Sequence, residues 1–188
     1  YVYGATLLGT SQDTSDFMTE EGWDIPDHLN RFTLCRYMAK QLFRGIAETI
    51  PAAERLMQWL QDVVRGLGSD NRMTWYSPTG FQVQHDYQDY EETRVAIRSC
   101  GLDMVLMRKY IDGVKGLRMT NAVAPNFVHA LDAAHLSRTG LSMEAQGHSF
   151  VAIHDSYGTH PSSVDVLHRT LREEFVRMYE ENDVLESF

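Results

Sequence analysis

The residues with the clearest chemical potential lie in one short stretch, Ser149-Phe150-Val151-Ala152-Ile153-His154-Asp155-Ser156-Tyr157-Gly158-Thr159-His160-Pro161. An apolar run suited to a buried strand meets His154, Asp155, Ser156 and Gly158, then resumes briefly before Pro161, the pattern of a tight hairpin with a carboxylate at its tip. Side chains alternate faces along a strand, so His154 and Asp155 point in opposite directions unless the turn rotates one of them. One can do chemistry while the other packs. An acid at the end of a buried strand is half-desolvated, which costs free energy unless a cation, a donor or a helix terminus compensates. A divalent metal is one such compensation. An Asx turn, in which Asp155 accepts backbone N–H groups two residues on, is the other.

The elements that must position this tip follow from periodicity. Residues 4–32 carry Gly4, Gly9, Gly22 and Pro26 among many Ser, Thr and acidic residues and read mostly as loop, with room for a short turn of helix. Leu34, Tyr37, Met38, Leu42 and Ile46 then recur at helical spacing. Pro51 suits the first turn of a second helix with Leu56, Met57, Leu60, Val63, Val64 and Leu67 inward, the two making a kinked pair. Between Met73 and Tyr87, aromatic and β-branched residues flank Ser77-Pro78-Thr79-Gly80 and predict a hairpin. Thr93–Ile97 and Met104–Met107 read as short strands, and Asp112-Gly113-Val114-Lys115-Gly116 as a turn. Pro125 opens a helix with Phe127, Leu131 and Ala134 on one face, His129 and Asp132 as neighbours, and Gly140 as its end. After the hairpin, Ser162 and Asp165 have capping-box spacing. Val164, Leu167, Leu171, Phe175 and Met178 form the stripe of a last helix that braces the hairpin and ends near Asp183. The fold class is therefore α+β, mostly helical.

Composition sets limits. With 188 residues, 43% of them hydrophobic and 23% charged, the chain is an ordinary globular sequence of one or two domains. Cys35 and Cys100 are too few and too far apart for a disulfide framework, and they give no metal signature. No apolar run approaches the roughly 20 residues that span a bilayer, so no membrane partner is expected. A net charge of −9 argues against a simple nucleic-acid-binding module, because phosphate contacts need a local surplus of Lys and Arg. Arg94, Arg98, Arg108, Lys109, Lys115 and Arg118 are a local cluster of that kind, on a solvated strand face or a backbone-contacting surface.

The string Ala152-Ile153-His154-Asp155-Ser156-Tyr157-Gly158-Thr159-His160-Pro161 resembles the motif C hairpin of the single-subunit DNA-dependent RNA polymerases of bacteriophages, mitochondria and chloroplasts. Ala124-Pro125-Asn126-Phe127-Val128-His129-Ala130-Leu131-Asp132 resembles the helix before that hairpin. Tyr3-Gly4 resembles the pair closing motif B, and Asn182-Asp183-Val184-Leu185 the segment after motif C. The likeness is strong over 121–188 and weak over 10–120. It implies part of a right-hand polymerase, with a fingers-like portion at 1–120 and a palm portion at 121–188. It implies template-directed RNA synthesis with Asp155 as catalytic ligand of Mg2+, and substrate contacts at Tyr3, Gly4, His129 and His154. Tyr3 would stand at the ribose of the incoming nucleotide. The implied partners are DNA template, nascent RNA, nucleoside triphosphates and the remainder of a longer polymerase chain. That remainder holds the partner aspartate of motif A and most of motif B, so the fragment by itself is expected to be inactive. The implied location is the infected host's cytoplasm for a phage protein, or a mitochondrion or chloroplast for an organellar one. The related DNA polymerases also carry a His-Asp hairpin, but with an acid at the place of Ser156 and a glutamine helix at that of His129; an acidic, non-enzymatic interaction domain is the other reading of the charge.

Overall fold

A computed structural model of the chain describes residues 5–26, 28–68, 72–95 and 105–188. The expectations that fall on Tyr3, Gly4, Ile97, Arg98, Cys100 and Met104 lie outside these residues. The chain divides into two compact units, residues up to Gly66 with Thr120–Pro125, and Leu67–Met119 with Asn126–Phe188.

The first unit begins with a helix where a loop is expected, α1 (Leu7–Glu20). Its polar sequence is accommodated locally. Thr6 caps the start by accepting from the Gly9 N–H, while Ser11, Thr14 and Thr19 return their hydroxyls to the carbonyls of Leu7, Thr10 and Ser15. Helix α2 (Arg31–Thr49) is capped by Asn30, and α3 (Pro51–Leu67) begins at Pro51, whose missing N–H costs nothing at a first helical position. Leu60 and Val64 bury the inner face of α3 as expected. On α2 the buried positions are Cys35 and Ala39, with Tyr37 and Leu42 turned to solvent. Small residues let α1 approach there, and the Cys35 thiol lies 3.9 Å from the Met18 sulfur.

In the second unit, β1 (Met73–Tyr76) and β2 (Gln82–His85) pair antiparallel across the Pro78-Thr79 turn, Trp75 opposite Val83. Strands β3 (Gln88–Val95) and β4 (Val105–Val114) form a longer ribbon than the two short strands expected. Asp112-Gly113-Val114 belongs to β4 rather than to a turn, because the register slips between the Gln88–Val114 and Tyr90–Tyr110 pairs and Gly113 takes a φ of +110° in that bulge.

Helix α4 (Gly116–Ala145) runs 30 residues with Pro125 inside it, so neither the start at Pro125 nor the end at Gly140 holds. Proline removes one backbone bond, but Val123, Ala124 and Phe127 are buried on either side of it and keep the helix continuous. Gly140 has another task. A Cβ there would come within 3.1 Å of the Phe150 ring, so the glycine admits the residue that leads into the hairpin. After α4 come β5 (Val151–Ile153) and β6 (Ser156–Gly158), a 3-10 turn at Pro161–Ser163, and α5 (Val164–Glu181). The Ser162–Asp165 capping box does not form. His160 caps the turn instead, accepting from the Ser162 N–H, and the Ser163 hydroxyl meets His148 Nδ1 at 3.0 Å. Helix α5 buries Leu167, Thr170, Glu174 and Met178, while Val164 and Phe175 stay half exposed, so its inner face is rotated from the expected stripe.

One side of this unit is centred on His85, which is fully buried. Its Nε2–H donates to the Met119 carbonyl at 2.8 Å, and Asn126 Nδ2 donates to its Nδ1 at 3.1 Å and to the Tyr87 hydroxyl at 2.9 Å. That pattern requires a neutral ring. Burial pushes the His85 pKa below its ordinary value, and the bond to Met119 opposes the shift only in part. The other side holds α4 against α5 through polar contacts. His135 Nε2 donates to the Leu171 carbonyl, Gln146 to Thr170, and Arg138 to Glu174 and Glu181.

Candidate active site at the hairpin tip

The tip is a two-residue connection, His154-Asp155, closed by the Ile153–Ser156 pair. A two-residue loop matches the twist of the strands only when at least one central residue takes positive φ. His154 does so at +55°, and it is the one described non-glycine residue that does. The left-handed region costs a histidine free energy that a glycine would not incur, so the turn holds a small local strain at the position beside the carboxylate.

Below the tip, the strands are held by fitted contacts rather than by ladder length. Gly158 faces Val151, where a Cβ would meet Val151 Cγ1 at 3.0 Å. The Thr159 hydroxyl donates to the Ser149 carbonyl across the base. Tyr157 lies in β6 two residues after Asp155, and its ring lies 5.7 Å from Phe150 and 6.0 Å from His135. His135 in turn packs edge-on against Phe175 of α5 at 5.3 Å. Helix α4 therefore stands between the hairpin and α5, and His135 touches both. Burial raises the Tyr157 phenol above its usual pKa, and the carboxylates of Asp132 and Asp155 push it further in the same direction. Asp132 also acts on Tyr179, whose phenol is raised chiefly by burial.

His154 and Asp155 are adjacent in the turn and both exposed, while His129 is exposed on α4, six residues before His135. The buried first strand is not observed. Val151 and Ile153 are 56% and 69% exposed, because none of the described residues covers that side of a ladder only three pairs long. Asp155 is accordingly hydrated rather than half-desolvated. Sequence reasoning missed Tyr157, His135 and Asp132 as a group. Its place in an aromatic-bearing strand beside the tip could have indicated Tyr157; nothing local links it to His135, 22 positions away.

Among the described residues no three His, Cys, Asp or Glu side chains converge as a metal site. An exposed carboxylate on a turn nevertheless suits magnesium, which is often held by one or two protein carboxylates with water and substrate phosphates completing its shell.

The family model of the DNA-dependent RNA polymerases matches residues 1–188. The DNA-directed RNA polymerase of Pseudomonas phage phiKMV is 38% identical over 179 residues, covering 95% of this chain and 22% of that protein. The mitochondrial DNA-directed RNA polymerase 1 of Nicotiana sylvestris is 33% identical and the chloroplastic polymerase 3 of the same plant 34%, each over the whole of this chain and 19% of the relative. The chain spans about a fifth of the length of these relatives. A hairpin with a hydrated aspartate in a two-residue turn, on a sequence matched from end to end, makes this chain a member of the single-subunit DNA-dependent RNA polymerase family.

Proposed function

We propose that this chain supplies the motif C half of an RNA polymerase active site, with Asp155 as a magnesium ligand in template-directed synthesis from nucleoside triphosphates. The observation that carries the reading is the geometry of the turn. It sets one exposed carboxylate on a two-residue tip, where a substrate can approach. Magnesium, when held there, supplies charge neutralisation for the attacking 3′ oxygen and the departing pyrophosphate. The chain's own residues fix where that carboxylate stands. Phe150 seats in the space left by Gly140, and Tyr157 rests on His135. In this reading 121–188 is palm and 1–120 fingers-like, within a right-hand polymerase that holds DNA template and nascent RNA. His154, His129, Tyr3 and Gly4 line the nucleotide, and Tyr3 stands at the ribose. The remaining ligands come from elsewhere in a longer chain.

The test is Asp155→Asn in the full polymerase. The amide keeps the shape and loses the charge, and an exposed residue contributes within about 0.5 kcal/mol to folding, so the melting transition should stay put while elongation disappears. Substantial elongation by a folded Asp155→Asn protein would sink the assignment.

A further inference from the structure

The outward face of α2 carries a second feature that the hairpin chemistry does not use. Phe32, Arg36 and Lys40 recur at spacings of four, with Thr33 and Tyr37 beside them, so all five lie on one stripe. They line a shallow cleft of about 460 Å³. Phe32 and Tyr37 are 58% and 60% exposed. Phe32 is also a wall of the neighbouring cleft of about 250 Å³, where Ser11, Gln12, Ser15 and Arg31 offer polar groups. The two clefts thus meet at one aromatic ridge.

The charge along them is opposite to that of the chain. Acids outnumber Lys and Arg by 26 to 17 overall, yet among the described residues no acid lines either cleft, and Arg31, Arg36 and Lys40 do. The nearest acid tied to the clefts by a hydrogen bond is Asp16, which accepts from Gln12. Farther along the same helix Arg44 pairs with Glu48, whereas neither Arg36 nor Lys40 forms an ion pair with a described carboxylate. Exposed rings alternating with such cations are the arrangement on which unpaired bases stack while phosphates are neutralised. A duplex keeps its bases stacked on one another and has no use for the rings.

We propose that this face of α2 is a binding strip for single-stranded nucleic acid, with bases stacked on Phe32 and Tyr37 and phosphates neutralised by Arg36 and Lys40. The choice of occupant rests on the polymerase reading above; the strip itself is separate from the hairpin site. Two adjacent clefts sharing Phe32 give room for two successive nucleotides.

The probe is a fluorescent 12-mer single strand containing one photoreactive thiothymidine, bound to the full polymerase and compared with the same sequence as a duplex. Cross-linked peptides should map to Phe32 or Tyr37. Tyr37→Ala should weaken single-strand binding roughly tenfold and Tyr37→Phe hardly at all, since a phenyl ring stacks as well. Arg36→Gln with Lys40→Gln should lower the slope of log affinity against log salt by about 1.4, the expectation for two phosphates on a single strand. Cross-links elsewhere only, with both variants leaving affinity and slope unchanged, would overturn the proposal. So would equal loss of duplex and single-strand binding in Tyr37→Ala. Asp155→Asn run in parallel separates the two readings: elongation by that protein refutes the hairpin assignment whatever the strip does, whereas loss of elongation there beside unchanged strand binding in the α2 variants refutes the strip alone.

Discussion

Glu174 offers the sharpest test of how the hairpin is braced. Its carboxylate sits on the buried face of α5 with a side chain only 7% exposed, accepting from Arg138 Nε at 3.1 Å and Arg177 Nη1 at 2.8 Å. Glu174→Gln removes the charge and turns an amide N–H2 toward one of the two guanidinium groups. Removing one partner of a buried ion pair costs about 3–5 kcal/mol, because the other charge is left desolvated. Two features reduce that figure here. Arg138 keeps Glu181 at 2.7 Å, and Arg177 is 54% exposed and can be hydrated. The expected loss is therefore roughly 2–3 kcal/mol, below the range for a pair that has no other partner and no access to water. Glu181 makes the stronger contribution to raising the Arg138 pKa, but it is 52% exposed, so water replaces it and Glu181→Gln should cost about 0.2–1 kcal/mol. Urea unfolding of the polymerase followed by circular dichroism supplies the comparison through the transition midpoint and its slope. A double variant, Arg138→Met with Glu174→Leu, should recover much of the loss, since it removes both charges and keeps the volume. A Glu174→Gln cost under 1 kcal/mol, or one no larger than that of Glu181→Gln, refutes the argument.

Protonation of His85 gives a pH signature: its folded pKa lies below the unfolded value of 6.5, so its contribution is whole above pH 6.5 and is lost as pH falls through the folded pKa. Melting temperature should therefore decline below pH 6.5 more steeply in wild type than in His85→Gln, and identical pH profiles would contradict the neutral-ring assignment. Gly140→Val adds atoms beyond a Cβ already 3.1 Å from Phe150 and should cost about 1–3 kcal/mol and slow elongation, whereas a fully stable variant would free Gly140 of its packing role. If Tyr3 stands at the ribose as proposed, Tyr3→Phe in the full enzyme should lower the ratio of kcat/KM for a ribonucleotide to that for its deoxy analogue; an unchanged ratio removes Tyr3 from the ribose.

The hairpin and its carboxylate were legible because a short continuous apolar run, the His154-Asp155-Ser156 break and a glycine are all local signals. Helix α3 was legible for the same reason, with Pro51 at its start and a clear inner face. Helix α1 was not, since Ser11, Thr14 and Thr19 read as loop formers until their hydroxyls are seen on carbonyls four residues back. Pro125 and Gly140 misled because their usual effects on a helix are overridden by burial on both sides of the proline and by the approach of Phe150. The exposure of Asp155 depends on what covers Val151 and Ile153, which no pattern within the strand encodes. His135 beside Tyr157 is likewise a product of tertiary approach.

The brevity of the β5–β6 ladder bears on time as well as place. Three residue pairs cannot hold a two-stranded ribbon together in water. The tip is steady only while Phe150 and Tyr157 stay seated, and detaching two rings requires far less free energy than unravelling α4 or α5. Amide protons around Ile153–Tyr157 should thus exchange with solvent long before those in the middle of α4, in openings that leave the helices intact. A nucleotide or metal that binds only the closed tip draws the equilibrium back, and the slowing of that exchange on binding reads out how often the carboxylate is out of position in the free protein.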